Sequence, residues 1–347
     1  MPSKIEWTHW PGFRGETLNP IVGCSETSVG CDHCYAVRTA HRLAGNPNRA
    51  VQAAYRGLTH KTAYGDLEWT GTVRFRPEEL EKLERWRKPR CIFWCSMSDM
   101  FHPRVGVEWF HRILLIMIAH SEHRHIVLTK RPVRMFDAIN FFIGSFCGGH
   151  EAVWRRMTKH IAWGVTAETQ ELLDERVPWL VRVPAARRFV SIEPMLGPVD
   201  LTRVTAHLAT WFPRRLAGMP PPDKCGPDVL CGTVLREDAG PFSPCRCGNR
   251  ALDWVIVGGE TGPGARPMDP DWARQVRDDC GEAGVPFFFK QWGEWLQWDY
   301  DPWDPGDDAQ RVFTGPGEWP RTVYRVGRKF AGCELDGQEH KEFPCEG

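Results

Sequence analysis

The sequence has no apolar run long enough to cross a bilayer; the longest candidate, Ile113 to Ala119, is flanked by His111, Arg112 and His120. No membrane span is expected. Net charge is also missing. Lys plus Arg and Asp plus Glu both number 44, so the chain carries no global cationic field of the kind that drives nonspecific nucleic-acid binding. No apolar signal segment follows the opening MPSKIEW, and a chain of 347 residues has no need of disulfide staples. Its thirteen cysteines therefore point to a reducing, cytoplasmic setting and to thiolate metal ligands. A phosphate-loop signature is absent too, because the glycines at 258 to 262 lack a Lys-Ser/Thr ending and do not complete a dinucleotide pattern.

What the chain has in quantity is aromatic surface. Seventeen tryptophans and eighteen phenylalanines can line a cavity as readily as fill a core. Short apolar runs alternate with helical stretches, which is the pattern of a parallel sheet covered by helices. Strands are predicted at Cys91 to Cys95, His125 to Thr129, Ile161 to Val165, Arg188 to Ile192, Trp254 to Val257 and Val285 to Phe289, with one around Asn19 to Val22 opening the series. Helices are predicted at Pro77 to Trp86, Val107 to Ala119 and Asp269 to Ala283, the last with Asp269 as N-cap, Pro270 just inside and Gly284 at its end. Each strand runs into a polar or glycine-bearing segment, and in parallel α/β folds ligands sit at those strand ends. Six such segments favour a barrel rim.

The segment 206–250 breaks the rhythm with three successive prolines and with Cys225, Cys231, Cys245 and Cys247, and it looks inserted. Their spacing of 5, 13 and 1 intervening residues is looser than a standard zinc knuckle, yet four thiols in an irregular segment could clamp it around zinc. The organisation expected is a core formed by 1–205 and 251–298, the insertion, and an irregular C-terminal extension over 299–347.

The segment GCSETSVGCDHCYA places Cys24, Cys31 and Cys34 in one glycine-punctuated loop after the first strand. Three soft thiolates from a short loop suit iron-sulfur or zinc chemistry, and three ligands on a four-iron cluster leave one iron free. This passage resembles radical S-adenosylmethionine proteins. Together with SKIEWT, SIEPMLGP, GGETG and KQWG it is similar to the phage Gp37/Gp68 family, over most of residues 3 to 295. Six residues separate Cys24 from Cys31, where the superfamily signature has three, while the two-residue gap from Cys31 to Cys34 matches.

The resemblance implies a partial or irregular parallel (β/α) barrel of the radical S-adenosylmethionine type, a [4Fe-4S] cluster on Cys24, Cys31 and Cys34, and S-adenosylmethionine bound at the open iron. It implies reductive cleavage of that cofactor and hydrogen abstraction from a substrate, with a reductant protein supplying the electron. The cofactor would lie across the strand ends, against Asp99, Thr166, Glu168, Ser191, Glu193, Gly258, Gly259 and Glu260. Asp99 would meet its ammonium group, and Glu193 would need a polar ligand or a cation to offset burial. Lys130, Arg131, Lys290 and Trp292 could form a charged and aromatic rim for phosphate and base, which makes a nucleoside or nucleic-acid component the leading substrate class. A partner protein could supply recognition. The reading from a different class is a non-enzymatic interaction protein whose cysteines hold structural zinc or iron-sulfur. His102, His111, His120, His123 and His125 match no ligand pattern and read as solvent-facing or hydrogen-bonded core residues.

Overall fold

A computed structural model describes residues 3–203, 251–297, 310–313 and 321–345. The expected insertion and its Cys225, Cys231, Cys245 and Cys247 lie outside the described residues. Seven parallel strands form one sheet in chain order: β1 (Arg14–Leu18), β2 (Arg90–Trp94), β3 (Arg124–Thr129), β4 (Ile161–Thr166), β5 (Arg187–Ile192), β6 (Trp254–Gly258) and β7 (Phe287–Gln291). The edge strands β1 and β7 do not pair with each other, so this is a partial, open (β/α) barrel. All six strands predicted with defined bounds fall in this sheet. The opening strand is the exception: it lies at Arg14–Leu18, while Ile21–Val22 pairs antiparallel with Arg74–Phe75 in a separate ribbon.

Side chains alternate between two apolar layers along each strand, as the pleat requires. Ile92, Trp94, Val127, Trp163, Val190 and Val255 face outward. They pack against the helices α2 (Val107–Ala119), α3 (Pro132–Phe146), α4 (Gln170–Arg182) and α5 (Pro270–Ala283). Cys91, Phe93, Ile126, Ala162, Phe189, Trp254, Ile256 and Phe288 face inward, where Trp7 and Trp10 join them. Helix α5 has the ends expected for it: Asp269 Oδ1 accepts from the Asp271 amide at 3.0 Å, and Gly284 is left-handed at φ 61°.

The open side of the barrel is covered from both edges. The segment around the short 3₁₀ turn Glu6–Thr8 lies along β1, where the Ser3 amide donates to Gly15 O at 2.9 Å. On the β7 side the Phe289 amide donates to His340 O at 2.8 Å. Lys341 Nζ ties the two segments together, donating to Glu6 Oε2 at 3.0 Å and to Phe289 O at 2.7 Å. Inside, Trp254 is the hub of an aromatic plug, with ring centroids 6.4 Å from Trp7, 5.5 Å from Trp10 and 5.5 Å from Phe343. The stretch after 298 is thus not merely irregular. It carries strands at Gln310–Phe313 and Arg321–Arg325, a short helix at Arg328–Ala331 and a hairpin of Glu334–Leu335 with Gln338–Glu339. No helix among the described residues is long and apolar enough to cross a membrane.

Candidate active site

Above the aromatic plug, at the C-terminal strand ends, lies a cavity of about 460 Å³. Trp7, Phe93 and Leu128 line it, and so do the free thiols Cys24, Cys31 and Cys34. The loop carrying them leaves the sheet, makes a 3₁₀ turn at Val29–Cys31 and enters helix α1 (Tyr35–Ala44) immediately after Cys34. Local amide bonds shape it, Cys31 N to Ser28 O at 2.8 Å and Cys34 N to Cys31 O at 3.1 Å.

Three carboxylates from alternate strand ends hold this loop, each through a cation. After β2, Asp99 accepts from Arg131 Nη1 at 2.9 Å, and Arg131 in turn donates to Ser25 O at 2.9 Å and Ser25 Oγ at 3.0 Å. After β4, the buried Glu168 pairs with Lys130 and with Arg176 Nη1 at 3.2 Å, and accepts from Ser28 Oγ at 3.3 Å. After β6, Glu260 accepts from Arg266 Nη2 at 2.7 Å and faces His33 Nδ1 at 3.1 Å, while Arg266 reaches Val29 O at 2.8 Å and Asp32 at 3.0 Å. His102 adds a fourth hold through Ser25 Oγ at 2.9 Å.

These contacts change the roles expected of several residues. Asp99 accepts from the Phe101 and Lys130 amides and from Thr129 Oγ1 as well as Arg131, which fills the roughly four acceptor positions of a carboxylate. It holds the cysteine loop rather than standing free for an ammonium group. Glu168 and Glu260 are committed in the same way. Lys130 and Arg131, expected to meet substrate phosphate, are the cations of these pairs. Trp292 is buried, donates Nε1 to Glu334 O at 2.7 Å and packs edge-on against Phe289, so its face is not offered to a base. Gly259 serves a neighbouring loop: a Cβ there would come 1.8 Å from Trp292 O, so only glycine lets the two strand-end loops touch.

Even so committed, Asp99, Lys130, Arg131, Gly259 and Glu260 line the cavity. Thr166, Ser191, Glu193 and Lys290 line it with them, with Lys290 Nζ paired to Glu193 and Gly258 leaving room beside that pair. Thr166 Oγ1 also accepts from Arg176 Nη1 at 3.3 Å. Among the lining residues not singled out from the sequence are Trp7 and Gln291. Both are buried, and among the described residues Trp7 Nε1 and Gln291 Oε1 have no hydrogen-bond partner. Trp7 lies within SKIEWT, but nothing in that string says that its indole reaches the cavity.

Electrostatics sort the three thiols. Burial, with Asp99 nearby, pushes Cys24 up to about 12 against the opposing pull of Arg131. Burial also raises Cys34. Cys31 moves the other way, because the Lys130 ammonium and amides of the tight loop outweigh its burial. The site thus supplies cationic compensation for thiolate charge at one corner. Among the described residues the three Sγ atoms do not form a set lying wholly within 4.8 Å of one another; the one such set of potential ligands is His120, Glu122 and His123, at the other end of the sheet.

A family model described as "Protein of unknown function (DUF5131)" matches residues 2–344. The chain belongs to that family. No curated protein matches this DUF5131 member. Among solved structures, a cysteine-to-serine mutant of spore photoproduct lyase is similar at TM-score 0.35 and 10% identity, over 93% of this chain and 72% of that one. Spore photoproduct lyase complexed with dinucleoside spore photoproduct gives TM-score 0.34 and 9% identity, over 93% and 71%. A double mutant of the same enzyme with bound AdoMet and dinucleoside spore photoproduct gives 0.35 and 9%, over 93% and 71%.

Proposed function

We propose that this DUF5131 protein is a radical S-adenosylmethionine enzyme whose [4Fe-4S] cluster is held by Cys24, Cys31 and Cys34. The observation that carries the reading is the convergence of three free thiols from one braced loop onto a single cavity at the strand ends of a partial parallel barrel. When bound, the cluster and S-adenosylmethionine supply one-electron cleavage of a carbon-sulfur bond and, from it, hydrogen abstraction.

The chain's own residues would brace, orient and exclude water. Asp99, Glu168 and Glu260 fix the loop, and Lys130 lowers the cost of a thiolate at Cys31. Thr166, Ser191, Glu193 and Lys290 would orient the methionyl and ribose groups. Val29 and Tyr35, exposed apolar residues flanking Cys31 and Cys34, offer a face to a reductant protein.

A nucleoside or nucleic-acid component is the substrate class proposed. Support comes from the aromatic side chains of Trp7 and Phe93 among the residues that line the cavity, since such faces suit stacking on a base. The paired state of Lys130, Arg131 and Lys290 favours recognition of the base over the phosphate. For 206–250 the proposal remains a separate zinc-clamped insertion.

Anaerobic reconstitution tests the reading. About four irons per chain, a charge-transfer band near ~400 nm and 5′-deoxyadenosine release under reduction are expected, all lost in Cys24→Ala, Cys31→Ala and Cys34→Ala. One zinc and no iron would instead favour a non-enzymatic interaction protein with a structural metal. Label transfer from DNA, RNA or nucleosides into 5′-deoxyadenosine tests the substrate class, and transfer only from peptides would reject it while keeping the chemistry.

A further inference from the structure

At the N-terminal edge of the sheet, opposite the cysteine loop, the turn from α2 into β3 reads His120-Ser121-Glu122-His123. His120 Nδ1 lies 3.1 Å from Glu122 Oε1, His123 Nε2 lies 3.9 Å from the same oxygen, and one ligand atom from each residue falls within 4.8 Å of the others. Tetrahedral zinc with nitrogen and oxygen ligands at about 2.1 Å needs ligand separations of about 3.4 Å, between the two distances seen. The imidazoles lie nearly parallel, 16° apart with centroids separated by 6.1 Å.

The second observation is an unsatisfied one. His123 is 1% exposed, yet among the described residues neither ring nitrogen has a hydrogen-bond partner. Buried polar groups are normally paired, and an unpartnered imidazole beside two further donor groups is free to take a cation. The turn is also fixed in advance. Trp94 Nε1 can only donate, so His125 Nδ1 accepts from it at 2.9 Å, and His125 Nε2 must donate to His120 O at 3.0 Å. The His123 amide donates to the same carbonyl at 3.1 Å. Nearby Arg90 is neutralised by Glu16 at 2.5 Å.

We propose that His120, Glu122 and His123 form a metal site of nitrogen and oxygen donors for a zinc-class divalent ion, separate from the cysteine loop and with a coordination position open to solvent. Exposure of Glu122 and partial exposure of His120 give the ion its route in. Two histidines and a carboxylate suit borderline metals such as zinc better than calcium or magnesium, which take oxygen ligands.

The test is titration of the untagged full chain with ¹¹³Cd²⁺, followed by cadmium NMR, because nitrogen-oxygen sites resonate well upfield of thiolate sites. Wild type should show one upfield resonance saturating at one equivalent. His120→Ala and His123→Ala should lose it and leave thiolate resonances unchanged. Since His123 is buried and its replacement can disturb folding, Glu122→Gln at an exposed position is the companion, expected to weaken occupancy about ten-fold or more. Absence of the upfield resonance in wild type, or its persistence at unchanged affinity in both His120→Ala and Glu122→Gln, would overturn the proposal.

Discussion

Gly30 lies against the buried carboxylate of Glu168 so closely that a Cβ would come 2.5 Å from Oε1 and 2.6 Å from Cγ. The cysteine loop therefore rests on the end of β4 with no space for a methyl group. In Gly30→Ala the loop must lift or Glu168 must leave Lys130 and Arg176. Overpacking of this kind costs about 1–3 kcal/mol. Iron incorporation per chain should fall by half or more while circular dichroism still reports a folded barrel. Full iron content with an unchanged Tm would show that the contact does not set the loop.

Glu193 and Lys290 form the only ion pair between proposed ligand-binding residues, at the ends of β5 and β7. Glu193→Gln leaves a largely buried ammonium without its counter-charge. Iron content should stay near wild type while 5′-deoxyadenosine production drops at least about ten-fold, and Glu193→Gln combined with Lys290→Met should restore stability but not activity. Iron loss equal to that of a cysteine variant would make Glu193 a structural residue.

The strands from β2 to β7 were legible because buried parallel strands are nearly continuous apolar runs, as in CIFWC and WVIV. β1 was misplaced for the opposite reason: RGETL pairs only with β2, and its Arg14 and Glu16 hide a strand from any hydrophobicity argument. Strand-end location likewise pointed to Asp99, Glu168 and Glu260, but not to what they do. Their meaning lies in partners far along the chain: Ser28 meets Glu168 across 140 positions, and Arg266 meets Asp32 across 234. Local pattern carries no record of such pairs. His120, Glu122 and His123 were passed over because their spacing matches no motif, and only the turn brings them together.

His102 gives the loop a pH dependence. Its Nδ1 accepts from the Arg104 amide at 3.2 Å, so its Nε2 carries the proton that reaches Ser25 Oγ. Burial, reinforced by Arg131, lowers its pKa from 6.5 to about 4. The unfolded chain therefore binds a proton that the folded chain resists. The stability from neutral His102 is complete above pH 6.5 and is lost as pH falls from there toward 4. Tm measured between pH 7 and 4 should fall less steeply in His102→Gln than in wild type; parallel curves would remove His102 from the account.

Trp7 joins the plug to ligand recognition. Trp7→Phe keeps an aromatic ring against Phe93, 4.8 Å away in wild type, but removes the fused ring and its Nε1 donor. The unfolding free energy should fall by about 1–2 kcal/mol, and affinity for the proposed nucleoside ligand should drop by about 1 kcal/mol with the lost stacking surface. Unchanged binding by calorimetry would place the ligand elsewhere in the cavity.

The bond from Lys341 to Glu6 spans 335 positions, and between these two segments sits the aromatic plug that floors the cavity. A ribosome making this chain releases the cysteine loop well before residues 340–343. Until those residues emerge, Trp7, Trp10 and Trp254 lack Phe343, and the edge of β7 lacks its cover. Contacts of such long range are slow to form, because their loop-closure entropy must be met before they stabilise anything. The order of assembly is therefore built into the topology: the loop that would carry metal is synthesised before the segment that closes the floor beneath it.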